Sequence, residues 1–554
     1  MSSKIAQNLL WLAIAWPLLA ALLLSLPRLR PAGRSLGRWA ALPSLALVAA
    51  PDGSLHLSAM LLGTSLVLDA TGRAFLLPIA LLWLATGEWL RAQRSIHDSY
   101  PMTLMLLLAM TGSIGLVLAA DAVLFFAAST LAGYALYGAL ALPPDRRTRQ
   151  ASQLLLIALI VSDLLIFEVL LMLGQAAGTV DLKLMRQAFI HIDGKPVVLG
   201  LLIFGFGIKL GILGVHYWLP ALLTTAHAAL RPAILTLVFG GGLLGALRLL
   251  PMGQLTAIPV SDILQWLVGL TLLWAGLSAL SPARRAVSAG YATVVTGTTW
   301  LIVLATSLQY PDVWETLAPA SATVLIQSLT ALAALLLVGS GDTATTRYNR
   351  VSLRSAAGWL GALLLGMAPL GLLAHLETRT AITLLLGMAL TALLAGNSIC
   401  TAGRAESSET RAPDTSQPVG SNWMTTLLLV TSGLAGAYQL SSAPTGLAAV
   451  SLALVVVGLM IAALNTHWPI VRLPLPAASI MLTVATRGLA LARHGATHAS
   501  RRWASIRPRR TRPAAKRNDA WDPAERLESL LLRWNTALPL VLLLGLLIAW
   551  LAVA

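Results

Sequence analysis

A lysine in the middle of a long apolar run is the first residue in this sequence that could do chemistry. Lys209 stands in Gly205-Phe206-Gly207-Ile208-Lys209-Leu210-Gly211, too far from either end of its run to snorkel to water. Low dielectric biases a lysine towards its neutral form, so one placed there can exchange a proton near neutrality. The plain alternative is one member of a structural ion pair. Seven residues on, His216 opens His216-Tyr217-Trp218-Leu219-Pro220. Two helical turns separate it from Lys209, so one helix face can carry both. Pro220 is expected to break that helix and free backbone carbonyls for protons or water. His227 follows in Ala226-His227-Ala228-Ala229, as a relay group or as a histidine satisfied by a neighbouring helix. Asp163 and Glu168 share the preceding apolar run. Glu168, nearer its far end, is the expected carboxylate partner of Lys209; Asp163 is either functional or a helix–helix hydrogen-bonding residue. His375 and Glu377 follow Gly366-Met367-Ala368-Pro369-Leu370-Gly371, where glycine and proline mark a broken helix beside two titratable groups. Asp69 and Asp121 open apolar runs and read as helix caps.

These residues need a membrane to hold them. The chain has 554 residues, 57% hydrophobic and only 11% charged, against about 25% charged in a soluble domain. Apolar runs long enough to cross a bilayer recur from end to end. Candidate spans are 8–26, 39–51, 71–90, 102–119, 121–141, 153–174, 197–215, 229–250, 263–280, 287–308, 317–339, 356–374, 380–399, 422–440, 444–465 and 535–553. The expected fold class is all-α: a polytopic membrane protein of about 14–16 transmembrane helices, some of them broken. The first run lacks a small-residue cleavage site and reads as a span, not a signal peptide.

Charge orients the spans. Arginines cluster after the first (Arg28, Arg30, Arg34, Arg38), third (Arg91, Arg94) and fifth (Arg146, Arg147, Arg149), and after the ninth, eleventh, thirteenth and fifteenth. This is the positive-inside pattern, with both termini outside. It also explains the net charge of +16 without nucleic acid. Residues 466–534 interrupt the pattern. Ala477–Trp503 reads as an amphipathic helix in the interface plane, followed by Arg501–Arg517 with eight lysines or arginines. That segment satisfies positive-inside, or meets a partner subunit or anionic lipid.

Other chemistries have no footing in the sequence. With Cys400 alone, there is no internal disulfide or cysteine-ligated cluster. No phosphate-cradling loop or nucleophile elbow is present. His494 and His498 are four apart but stand in a basic interfacial stretch. No metal and no cofactor is expected, and no active site of its own.

Lys209 to Pro220 resembles the signature of the antiporter-like subunits shared by NADH:quinone oxidoreductase, Mrp-type cation/proton antiporters, membrane-bound hydrogenases and DAB-type inorganic carbon complexes. The matching residues are Lys209, His216, Trp218–Pro220 and Ala226–Ala229. Gly115–Tyr134, Arg285–Gly297 with Tyr291, and Gly366–Leu373 are similar to further family motifs. The likeness covers about residues 65–400. Where the family has a buried glutamate this chain has Thr130; Gly240, Gln327 and Ala331 fall near other family lysine or histidine positions.

The resemblance implies a transmembrane chain of 1–100, an antiporter-like core of 101–400, further helices to 465, a lateral segment 466–534 and a last helix 535–554. It implies an antiporter-like subunit of a multi-subunit complex in a bacterial inner membrane, moving protons or monovalent cations along Lys209, His216, Glu168, His227, His375, Glu377 and Asp163. The alternative is a degenerate scaffold or coupling subunit that energises a partner, as in a DAB-type complex or a membrane-bound hydrogenase. Expected partners are other subunits of the complex and the lipid bilayer.

Overall fold

The computed structural model describes residues 2–57, 63–92, 100–143, 145–192, 194–212, 215–280, 287–338, 349–408 and 422–467. The amphipathic helix expected over 477–503, its basic loop and the final span at 535–553 lie outside the described residues.

The first crossing, α1 (Ser2–Ser25), has 24 residues, about 36 Å at 1.5 Å per residue and enough for a hydrocarbon core of about 30 Å. The expected span at 39–51 is corrected. The return is made by two short helices laid against α1, namely α2 (Arg30–Arg38) and α3 (Leu42–Val48). Pro43 starts α3 afresh, because its ring fixes φ and brings no N–H to extend the helix before it. Trp16 of α1 donates its indole N–H to the Leu36 carbonyl at 3.0 Å. An antiparallel hairpin follows, β1 (Gly53–Leu57) and β2 (Thr64–Leu68), with Leu55 opposite Leu66.

Long helices then alternate: α4 (Ala70–Ala92), α5 (Tyr100–Leu118), α6 (Ala122–Ala141) and α7 (Arg146–Ala177). A short α8 (Leu182–Ala188) leads to α9 (Lys195–Leu210) and α10 (Trp218–Thr225), two halves of one crossing. Next come α11 (Ala228–Leu249), α12 (Ile258–Leu280), α13 (Ser288–Gln309), α14 (Trp314–Val338), α15 (Asn349–Met367) with its short continuation α16 (Leu370–Leu373), α17 (Thr378–Ser408), α18 (Asn422–Ser442) and α19 (Thr445–His467). Among the described residues twelve helices are long and apolar enough to cross a membrane. The all-α polytopic reading is borne out. The broken helix expected at Gly366–Gly371 is present, with α15 ending at Met367.

The caps lie where the sequence puts them. Asp121 accepts from the Leu124 N–H at 2.8 Å and, from the hairpin, the Ser65 N–H at 2.7 Å. Asp69 accepts from the Gly72 N–H at 2.6 Å and pairs with Arg248 at 3.3 Å. These acidic ends and the hairpin share one end of the bundle. Arg30, lying 3.9 Å over the Tyr100 ring, and the arginines that open α7 mark the other.

Candidate functional site

The crossing that carries Lys209 is broken beside it. Gly211 adopts φ +68, a left-handed conformation that favours glycine. The Gly211 N–H bonds back to Ile208 O at 3.2 Å and the Ile212 N–H to Gly207 O at 3.0 Å, the paired bonds that close a helix C-terminus. The Trp218 indole, from the first position of α10, donates to the Ile208 carbonyl at 3.0 Å and stitches the two halves together. Pro220 is therefore not the break. It sits in the first turn of α10, where a missing N–H costs no helical bond.

Lys209 thus lies in the last turn of α9, where the helix dipole favours a cation. Its Nζ donates to Asp163 Oδ1 of α7 at 2.8 Å and to Ser129 Oγ of α6 at 2.7 Å. The side chains are 1% and 8% exposed, so the pair is closed off from the surroundings. The Tyr134 hydroxyl also hydrogen-bonds to Asp163. Here the expected partner is corrected: Lys209 pairs with Asp163, and Glu168 turns to the outer surface of α7. On the remaining side Lys209 meets a stretch of π-helix within α11, Thr236–Leu244. There Gly241 leaves room for the lysine stem: a Cβ on it would stand 3.5 Å from Lys209 Cδ. Such π segments recur at functional sites. The crevice beside the amine is lined by Leu155, Leu159, Ile208, Trp218 and Leu237 and is too narrow for a water-sized sphere.

The other sequence-predicted residues lie apart from this pair. His216 falls in the link between the two halves, not on one helix face with Lys209, which corrects that expectation. It is buried among aromatic rings, with centroids 5.8 Å from Tyr291 and 6.5 Å from Trp274. The Trp274 indole donates to the Tyr291 hydroxyl at 3.1 Å. His227 caps the turn that opens α11, its Nδ1 accepting from the Ala229 N–H at 3.3 Å. His375 and Glu377 are exposed at the start of α17. Glu377 accepts from the Tyr310 hydroxyl, which, ahead of burial and the nearby negative charge, holds that phenol above its ordinary pKa.

At the positions where the resembled family carries charge, the structure holds neutral groups. Thr130 bonds to its own helix, donating to Ala127 O at 2.9 Å. Gly240 packs beside Ile79. Gln327 is buried and donates to Leu364 O at 2.9 Å. Among the described residues no cluster of histidine, cysteine, aspartate and glutamate could hold a metal ion. Ser129 and Tyr134 escaped sequence reasoning because hydroxyl residues are common in apolar helices. The Asp163 pairing, however, was within reach. Asp163 stands fifteen residues before Gly178 and Lys209 fifteen after Gly194, so antiparallel helices bring them level.

Fold and site together define a polytopic membrane protein whose centre is a lysine–aspartate pair at a helix break. Residues 119–294 match the transmembrane family described as NADH:quinone oxidoreductase/Mrp antiporter. No curated protein matches the chain in sequence. In fold it is similar to a chain of respiratory complex I from Thermus thermophilus, at 17% identity and a TM-score of 0.56, covering 83% of this chain and 99% of that one. It is also similar to a chain of the membrane-bound sulfane sulfur reductase, an archaeal respiratory membrane complex, at 15% identity and a TM-score of 0.59, with the same coverage. At such identities the likeness is one of fold.

Proposed function

We propose that this chain is an antiporter-like subunit of a multi-subunit membrane complex and that it moves protons through Lys209. The observation that carries the reading is the buried Lys209–Asp163 pair at the α9–α10 break, held at 2.8 Å. Lys209 donates to both Asp163 and Ser129, so its ammonium has two acceptors on other helices and none on its own. A small shift of either half-helix separates amine from carboxylate. With the pair parted, the proton on the amine passes to the next acceptor. His216, across the break, is the nearest titratable station that the chain itself continues to. His227, His375 and Glu377 belong to later stages of such a path, towards the two ends of the bundle. The match of residues 119–294 to an antiporter family supports the class. The two fold relatives, both from respiratory membrane complexes by their titles, support a place among partner subunits. A bacterial inner membrane is the setting this implies.

A second reading is favoured by a specific observation. The links at Thr130, Gly240, Gln327 and Ala331 are neutral, and the crevice at Lys209 is narrow and lined mostly by apolar side chains. On that reading the subunit scaffolds or couples a partner's chemistry, as a DAB-type carbon-uptake or hydrogenase subunit would. Lys209→Met keeps most of the volume and removes the titrating group. In an assembled complex it should abolish coupled activity, and Lys209→Arg should fail in part, since arginine does not release its proton. Wild-type activity in the assembled Lys209→Met complex would leave the scaffold reading in possession.

A further inference from the structure

Glu168 is the ionisable residue that the buried pair does not use. It stands five residues beyond Asp163 on α7, and where Asp163 turns inward Glu168 is exposed on the outer face. That face is otherwise apolar, with Ile160, Leu164, Phe167 and Leu171 between 43% and 65% exposed. Phe167 lies against Phe126 of α6, ring centroids 5.2 Å apart. The helix runs Arg146–Ala177 and holds the most apolar window among the described helices, mean hydropathy 2.7. Glu168 is about 10 Å from the helix midpoint along its axis, inside the half-thickness of about 15 Å of a hydrocarbon core. Among the described residues no cation or hydrogen-bond donor reaches its carboxylate.

Ionisable side chains at membrane depth face the protein interior or pair with one another. This one faces outward and has no partner within the described chain. The geometry points to a docking surface: the outer face of α7 around Glu168 receives a transmembrane helix of a partner subunit that carries a lysine or arginine at the depth of Glu168. Charge complementarity selects that occupant. Lipid tails offer the carboxylate neither a countercharge nor a donor. A second copy of this chain, meeting the same face across a twofold axis, would set Glu168 against Glu168. The chain's own last apolar run holds no lysine, arginine or histidine from Thr536 to Ala554. Leu164, Phe167 and Leu171 would close around the pair and exclude lipid, as apolar neighbours do around a buried interfacial charge. The inference rests on the chain's being a subunit of a complex and is independent of proton movement.

The test uses the complex purified from its native membranes, with its mass measured so that assembly is known separately. Dicyclohexylcarbodiimide, an apolar carbodiimide, reacts with protonated carboxyl groups that face lipid. Glu168 should be modified at least about tenfold less in the intact complex than in the chain separated from its partners, with Glu168→Gln identifying the peptide. A benzophenone amino acid at Leu164 or Leu171 should cross-link to a transmembrane segment of another subunit. That segment should carry a lysine or arginine within about one helical turn of the cross-linked residue. Equal modification of Glu168 in an intact complex would overturn the proposal. So would cross-links confined to lipid, to residues 468–554 of this chain or to a second copy. Isolation of the chain as a monomer from native membranes would instead remove the subunit reading on which the inference rests.

Discussion

Removing one member of a buried ion pair differs from removing both, and the Lys209–Asp163 contact makes that difference measurable. Asp163→Asn keeps the size of the side chain and an oxygen for the amine, but strips the countercharge from an ammonium that is 1% exposed. Breaking a buried pair in this way costs about 3–5 kcal/mol, or two to three and a half powers of ten in the unfolding equilibrium at about 1.4 kcal/mol each. Lys209→Met is milder. It leaves no unpaired ammonium behind, so the loss is about 1–3 kcal/mol, that of a disturbed buried hydrogen bond. The double variant Lys209→Met/Asp163→Leu leaves neither charge behind and should be close to wild type in stability. The non-additivity should therefore be at least about 4 kcal/mol, beyond the roughly 0.5–3 kcal/mol usual for residues in contact. Unfolding of the four proteins in detergent, followed by thermal or steric-trapping assays, gives the cycle. Two single effects that add to within about 0.5 kcal/mol in the double variant would refute the reasoning, since that is how independent sites behave.

Gly211→Ala should destabilise the α9–α10 link by about 1–2 kcal/mol from left-handed backbone alone, and more because its Cβ would stand 3.0 Å from Leu219 Cδ2; thermal shift of the detergent-solubilised protein measures it. The Asp145 carboxylate caps α7, and the Thr148 N–H, then the Thr148 hydroxyl, hold its pKa below the ordinary 3.8. A depressed carboxylate stabilises the fold above its ordinary value and loses that contribution as pH falls through the folded one. Wild type should therefore exceed Asp145→Ala in thermal stability at neutral pH, with the gap closing only below pH 3.8. With Cys400 replaced, cysteines placed in Arg91–Pro101, Leu142–Arg149 or Arg501–Arg517 should resist an impermeant thiol reagent added outside sealed cells; ready labelling would invert the topology.

Much of the scaffold was readable because the bilayer imposes simple rules. Apolar length gave the long helices. The second crossing was misread because α2 and α3 are each too short and, with Arg34 and Arg38, too polar for a length-and-hydropathy rule. Lys209 was legible as a buried cation because a charge at that depth needs a reason. Its partner was misread because Glu168 was favoured on its place near the far end of the run, while the matching fifteen-residue spacings of Asp163 from Gly178 and of Lys209 from Gly194 went unused. The site of the break was misassigned because proline is the louder signal. Pro220 is harmless in a first helical turn, whereas Gly211 reverses the sign of φ and ends α9. His375 and Glu377 were correctly placed beside a broken helix, but that break lies near the end of its crossing and exposes them.

The central claim, that Lys209 carries the proton this subunit moves, is tested most directly by proton flux. The assembled complex is reconstituted in sealed vesicles with a pH-sensitive dye trapped inside. Flux is recorded for wild type and for Lys209→Met at equal protein content. The account predicts a wild-type flux above that of empty vesicles and a Lys209→Met flux indistinguishable from them. Equal fluxes in the two assembled complexes would contradict it.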